Sequence, residues 1–280
     1  VELEINDGRA NRAKVNQNPV RSQKELLGLV KSVCFSPEDL DLVRGDPSER
    51  RSFLDQLLIQ QSPRLAGVIS DYERALKQRN SLLKSRAPES SLRSWSDHLA
   101  TFGGELIAGR IKLINQIEPL FQKAYKNLSA KKLAKLGYKS SIPAPSVEKE
   151  VNRELILKVI EEVKTQEIER GISLVGPHRD DFLLNLGDHP VKGYASHGES
   201  WSIALALRLA SYQLFINEGA KPILILDDVF SELDEGRREK LLEIADSAEQ
   251  TFITVAVEND LPKAIKGSKF KVELGKVVAL

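Results

Sequence analysis

No methionine occurs among the 280 residues, and the chain opens on Val1, so it reads as a fragment or a processed product. Cysteine is limited to Cys34, which excludes an internal disulfide and fits a reducing cytoplasmic setting. It lies in the apolar segment Leu29-Val30-Lys31-Ser32-Val33-Cys34-Phe35 and is expected to be a buried structural thiol. Aromatic residues make up only 6%, beside 41% hydrophobic and 29% charged, which describes a helix-rich globular chain. No apolar run approaches the roughly 18–20 residues of a membrane span. Val1-Glu2-Leu3-Glu4-Ile5 lacks the basic start and apolar core of a secretory leader. An excess of one charge is missing too: 41 basic and 40 acidic residues leave +1, so nucleic-acid binding would need a local patch. A Gly-x-x-x-x-Gly-Lys-Ser/Thr phosphate loop is likewise absent.

What is present has a readable order. Alternation in Val1–Ile5 and Ala13–Asn16 around Asp7-Gly8 predicts a hairpin. Val30–Phe35 reads as a strand, and Ser36-Pro37-Glu38-Asp39 and Asp46-Pro47-Ser48-Glu49 read as helix starts. From Pro63 to about Lys164 the pattern is helical, with breaks at Ala87-Pro88 and at 140–145. Leu106, Ile107, Ile111, Leu113, Ile114 and Ile117 form one amphipathic face. The expectation is an all-helical lobe inserted into an α/β domain. After Gly171 strands return at Phe182–Leu186, Ile223–Leu226, Phe252–Val255 and Phe270–Leu274, with helices over Ser200–Phe215 and Arg237–Ala245.

The chemistry concentrates in Pro222-Ile223-Leu224-Ile225-Leu226-Asp227-Asp228. Four branched apolar residues predict a strand buried on both faces, and it ends in two adjacent carboxylates. Ligands collect at the carboxyl ends of strands in open α/β sheets. One carboxylate there suffices for a phosphate-bound Mg²⁺, and the second can orient or deprotonate an attacking water. Ser196-His197-Gly198-Glu199-Ser200 opens a long helical run, and a helix start offers free N–H groups and a positive dipole end to a phosphate. Gly176-Pro177-His178-Arg179-Asp180-Asp181 either brings His178 or Arg179 to a phosphate or is a turn before a strand. No histidine has zinc-ligand neighbours, and His98 and His189 read as structural. Basic residues at 44, 50, 51, 64, 74, 77 and 79, and at 126, 131, 132 and 135, form either a solvated helix face or a phosphate track.

Three segments together resemble the RecF family, bacterial recombinational-repair ATPases related to the SMC proteins. They are Phe35-Ser36-Pro37-Glu38-Asp39-Leu40 with Gly45-Asp46-Pro47 and Arg50-Arg51-Ser52-Phe53-Leu54-Asp55; Gly176–Asp181; and Leu226-Asp227-Asp228-Val229-Phe230-Ser231-Glu232-Leu233-Asp234. The resemblance implies an α/β fold, a partial ABC-ATPase head of the P-loop class with the inserted helical lobe. Residues 1–60 would begin the head without its Walker A segment, 61–165 would form the lobe, and 166–280 would complete the head. By position, Asp227 would be the Walker B magnesium ligand and Asp228 the catalytic carboxylate. Ser196, His197, Gly198 and Glu199 would be the signature that meets ATP bound by a second subunit, with Ser231 and Asp234 on the D-loop at the dimer interface. Arg50, Arg51, His178 and Arg179 are candidate phosphate or DNA contacts.

The implied cofactors are ATP and Mg²⁺. The implied partners are DNA at single-strand gaps and double–single-strand junctions, RecO, RecR, a RecA-type recombinase, and a second copy in an ATP-dependent homodimer. The implied setting is DNA replication, repair and the SOS response. Departures from the family pattern are the missing phosphate loop, no switch histidine in Thr251–Val257, and Asp rather than Glu at 228. The intact protein would then be a slow DNA-dependent ATPase, and this chain inactive alone. Two other readings remain: a metal-dependent phosphoesterase or nuclease using Asp227 and Asp228 with Asp180, Asp181 or Glu258, and a non-enzymatic DNA-binding scaffold.

Overall fold

The N-terminal alternation folds as an antiparallel meander of β1 (Glu2–Glu4), β2 (Arg12–Val15) and β3 (Asn18–Pro19), with Glu2 opposite Lys14. The computed structural model describes residues 1–129, 132–257, 261, 265 and 267–280, with the backbone alone at 23, 24 and 232. β4 (Ser32–Phe35) follows, then a short 3-10 turn over Pro37–Asp39, α1 (Leu40–Arg44) and α2 (Pro47–Gln61). Both Pro-marked starts fall where the sequence places them, since a ring-locked φ and a missing N–H suit a first helical position.

Three long helices come next: α3 (Leu65–Lys84), the 40-residue α4 (Glu89–Leu128) and, after β5 (Ala134–Lys139), α5 (Lys149–Arg170). The predicted face of α4 is the packed one, with Leu106, Ile107, Leu113, Ile114 and Ile117 in the core and Ile111 at its edge. Gly104 lets α5 lie against α4: a Cβ there would stand 2.6 Å from the Lys149 carbonyl oxygen and 2.8 Å from the Arg153 nitrogen.

The all-helical reading of 61–165 is corrected at β5, which pairs antiparallel with β6 (Asp181–Leu186) from Ala134↔Leu186 to Lys139↔Asp181. Ala134 and Leu136 are buried while Lys135 between them is exposed, a period-two signal too short to stand out among lysines. β6 also pairs with the two-residue β7 (His189–Pro190).

The remaining elements are α6 (His197–Asn217), β8 (Ile223–Asp227), α7 (Glu235–Ser247), β9 (Thr251–Thr254), β10 (Phe270–Glu273) and β11 (Lys276–Ala279). β4, β8 and β9 form a parallel sheet in that order, which joins strands almost 190 residues apart in the chain. α6 is apolar nearly all round and is buried through most of its length, with Trp201 edge-on to Phe35 of β4.

In the sheet Val33 lies beside Leu224 and Phe35 beside Leu226, all four buried. The alternate residues Cys34, Ile225 and Phe252 share the other face. Cys34 is exposed there and Phe252 is 51% exposed. The expected burial of Cys34 is therefore wrong: its apolar neighbours alternate with it rather than surround it. For the same reason β8 is buried on one face rather than both. Among the described residues no helix is long and apolar enough to cross a membrane.

Candidate functional site

β8 delivers Asp227 as its last residue, beside Thr254 at the end of β9 in register. The Thr254 hydroxyl donates to Asp227 Oδ1 at 2.5 Å. Asp228 takes φ +50°, the left-handed region that a side chain occupies at roughly 1–2 kcal/mol. It is fixed there by its own N–H, which donates to the Thr254 carbonyl at 3.2 Å and to Thr254 Oγ1 at 3.1 Å. Behind it Val229 and Phe230 are fully buried, anchoring the turn that carries Ser231 and Asp234. Ser231 Oγ donates to the Asp228 carbonyl at 3.2 Å, and Asp234 caps α7 by accepting from the Arg237 N–H at 3.0 Å. A strained carboxylate at a strand end, held by its neighbours, is the usual mark of a functional turn.

The start of α6 is built as tightly. Ser196 caps it: Glu199 N donates to Ser196 Oγ at 3.2 Å, and Ser196 N donates to Glu199 Oε2 at 2.9 Å. Lys132 Nζ reaches Glu199 Oε1 at 2.9 Å. Lys132 first, then the Ser196 N–H, hold the Glu199 carboxyl down at about 2. Glu199 is thus a charged strut rather than a proton carrier. His197 Nε2 accepts from Trp201 Nε1 at 3.0 Å.

The first turn of α6 and the start of α7 meet through Arg237, a residue that sequence reasoning did not single out. Its guanidinium nitrogens stand 3.6 and 3.7 Å from where a Cβ on Gly198 would sit. It lies 3.3 Å from the Asp234 carboxylate, and its Nε is buried with no hydrogen-bond partner. A cation set against the positive end of a helix suits a site that receives an anion. Asp227 and its neighbour Thr254 offer oxygen atoms, which suit Mg²⁺, a hard cation that keeps waters and takes few protein ligands.

The Gly176–Asp181 element lies elsewhere and works inward. Arg50 is only 6% exposed and holds both oxygens of Asp181, at 2.8 and 3.0 Å. Arg51 donates to the Asp180 carbonyl at 2.9 Å, and Arg179 to the Ser173 carbonyl at 2.9 Å. Asp180 is fully buried and accepts from Tyr138 Oη, Ser140 Oγ and Ser141 N. His178 sits 2.6 Å from Tyr72 Oη through Nδ1 and 3.2 Å from the Ser173 carbonyl through Nε2. Of the four candidate phosphate or DNA contacts, Arg50 and His178 make internal links, and Arg51 and Arg179 donate to backbone carbonyls. Asp55 and Arg110, which hold each other at 2.8 Å while Arg110 also reaches the Pro177 carbonyl, belong to the same hub. Most of these links join partners 39 to 131 residues apart, which sequence alone does not pair; the contacts of His178 and Arg179 with the Ser173 carbonyl are local.

Burial, the largest influence, presses the His178 pKa from 6.5 down to about 4. The unfolded chain therefore binds the extra proton across pH 4–6.5, and stability present above that window falls as pH drops through it. Acidification from pH 7 to 5 is expected to remove about 2 kcal/mol in urea unfolding. His178→Asn should start less stable and lose less; an unchanged pH slope in the variant would refute this role for His178.

Asp180 and Asp181 are thereby withdrawn from any second metal site, and Glu258 lies outside the described residues. Among the described residues no group of three or more His, Cys, Asp and Glu could hold a metal. The basic residues are largely engaged as well: Arg64 pairs with Glu105, Arg74 with Asp71, and Arg79 with Glu167.

No protein-family model matches the chain. A DNA replication and repair protein RecF from Streptomyces avermitilis is 50% identical over 289 aligned positions, covering 99% of this chain and 77% of the relative. The RecF of Beutenbergia cavernae is 48% identical, covering 99% of this chain and 79% of its own length. Among solved structures, the recombination mediator protein RecF-ATPrS in the RecFOR pathway superposes with a TM-score of 0.88 at 28% identity, over 97% of this chain and 73% of that one. Its RecF-ATP counterpart gives 0.86 over the same shares. An SMC head bound to the C-terminal winged-helix domain of ScpA, at 13% identity and a TM-score of 0.50, shares the fold alone. With relatives near half identity over its whole length, the chain belongs to the RecF family of DNA replication and repair proteins.

Proposed function

We propose that this chain carries the catalytic and dimer-facing half of a RecF-type DNA-repair ATPase. The observation that carries the reading is Asp228, held at positive φ beside Asp227 at the carboxyl end of a parallel strand. Asp227 would hold Mg²⁺, which would supply positive charge against the nucleotide's phosphate oxygens. Asp228 orients the attacking water and accepts its proton. The Ser196 hydroxyl and the first N–H groups of α6 face the terminal phosphate of a nucleotide bound by a second copy, and Ser231 and Asp234 lie at that interface. In this reading residues 1–60 and 166–280 belong to the head, and 61–165 to a lobe. The partners are DNA at gaps and junctions, RecO, RecR and a RecA-type recombinase, in the cytoplasm.

The ATP-bound RecF structures support the nucleotide, and the engaged Asp180 and Asp181 weigh against the nuclease alternative. Because the 280 residues contain no Gly-x-x-x-x-Gly-Lys-Ser/Thr, the main cradle of the β- and γ-phosphates is not among them. ATP hydrolysis by this chain is expected at background, and to appear in a form extended ahead of Val1 by a segment carrying that loop. Equal turnover by the two forms would overturn the assignment.

A further inference from the structure

Beside the start of α6 lies an aromatic platform that the hydrolytic reading does not use. Tyr194, two residues before the Ser196 cap, is 69% exposed, yet its ring is stacked on His189 at 5.1 Å and 10° between planes. It is held rather than loose. Its N–H and that of Ala195 both donate to the Val191 carbonyl, at 3.2 and 3.0 Å, and Val191 is buried. Exposing a large ring on a fixed turn leaves a flat apolar face in water with little to gain from the fold itself.

The platform lines a groove of about 290 Å³ together with Leu186 and Pro190. Lys132 also lines this groove, and the same Lys132 holds Glu199 in the first turn of α6. The groove and the helix start are therefore neighbours across one side chain. A ligand with a phosphate at Ser196 and a flat ring at Tyr194 would span adjacent surfaces.

We propose that the Tyr194–His189 stack and its groove are the subsite for the base of the nucleotide whose phosphate meets α6. This rests on the proposed role of Ser196. The ligand class is a nucleoside triphosphate, with the base recognised by stacking and thus with little choice between purines. A DNA strand fits less well, because Asp188 also lines the groove and Lys132, the one described cation lining it, is already paired with Glu199.

The chain as it stands isolates this half of the site, so weak binding to it reports on the groove and the helix start alone. NMR titration with inorganic triphosphate is expected to shift the amides of Ser196–Glu199 and leave the Tyr194 ring unmoved. MgATP should shift the same amides and, through ring currents, Tyr194 and His189 as well, with roughly tenfold higher affinity than triphosphate. Tyr194→Ser should erase that tenfold advantage while leaving triphosphate binding as it was. Triphosphate binding with no added effect of the base would overturn the subsite and leave the phosphate reading standing. Silence of the helix start toward both ligands would sink the phosphate reading and the subsite with it. Tyr194 shifts produced by an oligothymidylate but not by ATP would overturn the proposal in favour of DNA.

Discussion

Asn in place of Asp228 is expected to lower ATP turnover by roughly 10²- to 10⁴-fold in a form of the protein that carries a phosphate loop. The substitution is chosen for the backbone. Asp228 sits at φ +50°, which Asn tolerates about as well as Asp, whereas Ala would add strain of its own. The contacts that fix the turn are made by the Asp228 N–H to Thr254 and by its carbonyl to Ser231, and both survive the exchange. The Ala256 N–H, 3.4 Å from Asp228 Oδ1, keeps an oxygen acceptor. What is removed is the negative charge and the ability to take a proton. ATP affinity should accordingly hold while kcat falls, since the phosphates are bound by other groups. Turnover within a few-fold of the parent would remove Asp228 from the chemistry. Asp227→Asn should differ in kind, raising the Mg²⁺ concentration needed for binding rather than acting on kcat alone.

The parts of this site that the sequence made legible are those whose signal is local. Four branched apolar residues followed by two acids mark β8 and its end, since the change from buried to charged occurs within one residue. Ser196 and Glu199 stand at the cap and third positions of α6, where side chain and backbone satisfy each other without outside help. Signals that need a distant partner are not legible. The charge of Arg50, Arg51 and His178 is visible in the sequence, while their pairing with Asp181, the Asp180 carbonyl and Tyr72 appears only in the folded chain. Arg237 went unnoticed for the opposite reason: nothing in Glu235-Gly236-Arg237-Arg238 says that one of two arginines folds back on α6. Cys34 shows the limit of hydropathy, because a strand can be apolar along its length and still leave one face open.

The largest expected effect on stability lies away from the Asp227–Asp228 turn, in the ion pair of Arg79 and Glu167 between α3 and α5. Arg79 is 3% exposed and Glu167 fully buried, at 2.5 Å. Each of the three guanidinium nitrogens makes a hydrogen bond: Nε to Ser96 at 2.9 Å, one terminal nitrogen to Ser173 at 2.8 Å, and the other to Glu167. The second oxygen of Glu167 accepts from the Leu174 N–H at 2.7 Å, so the pair also pins the chain leaving α5. Removing one partner leaves a desolvated charge with nothing to balance it. Glu167→Ala is expected to cost about 3–5 kcal/mol, a large share of the stability of a domain this size. The double change Arg79→Met with Glu167→Leu should recover most of that loss, because it removes both charges together. Recovery should stop short of the parent: the Leu174 N–H and the Ser96 and Ser173 hydroxyls would still lack partners, at roughly 1 kcal/mol each. Urea unfolding of the parent, Arg79→Met, Glu167→Leu and the double variant closes the cycle. A coupling energy near zero would mean that packing, not charge balance, holds this corner together.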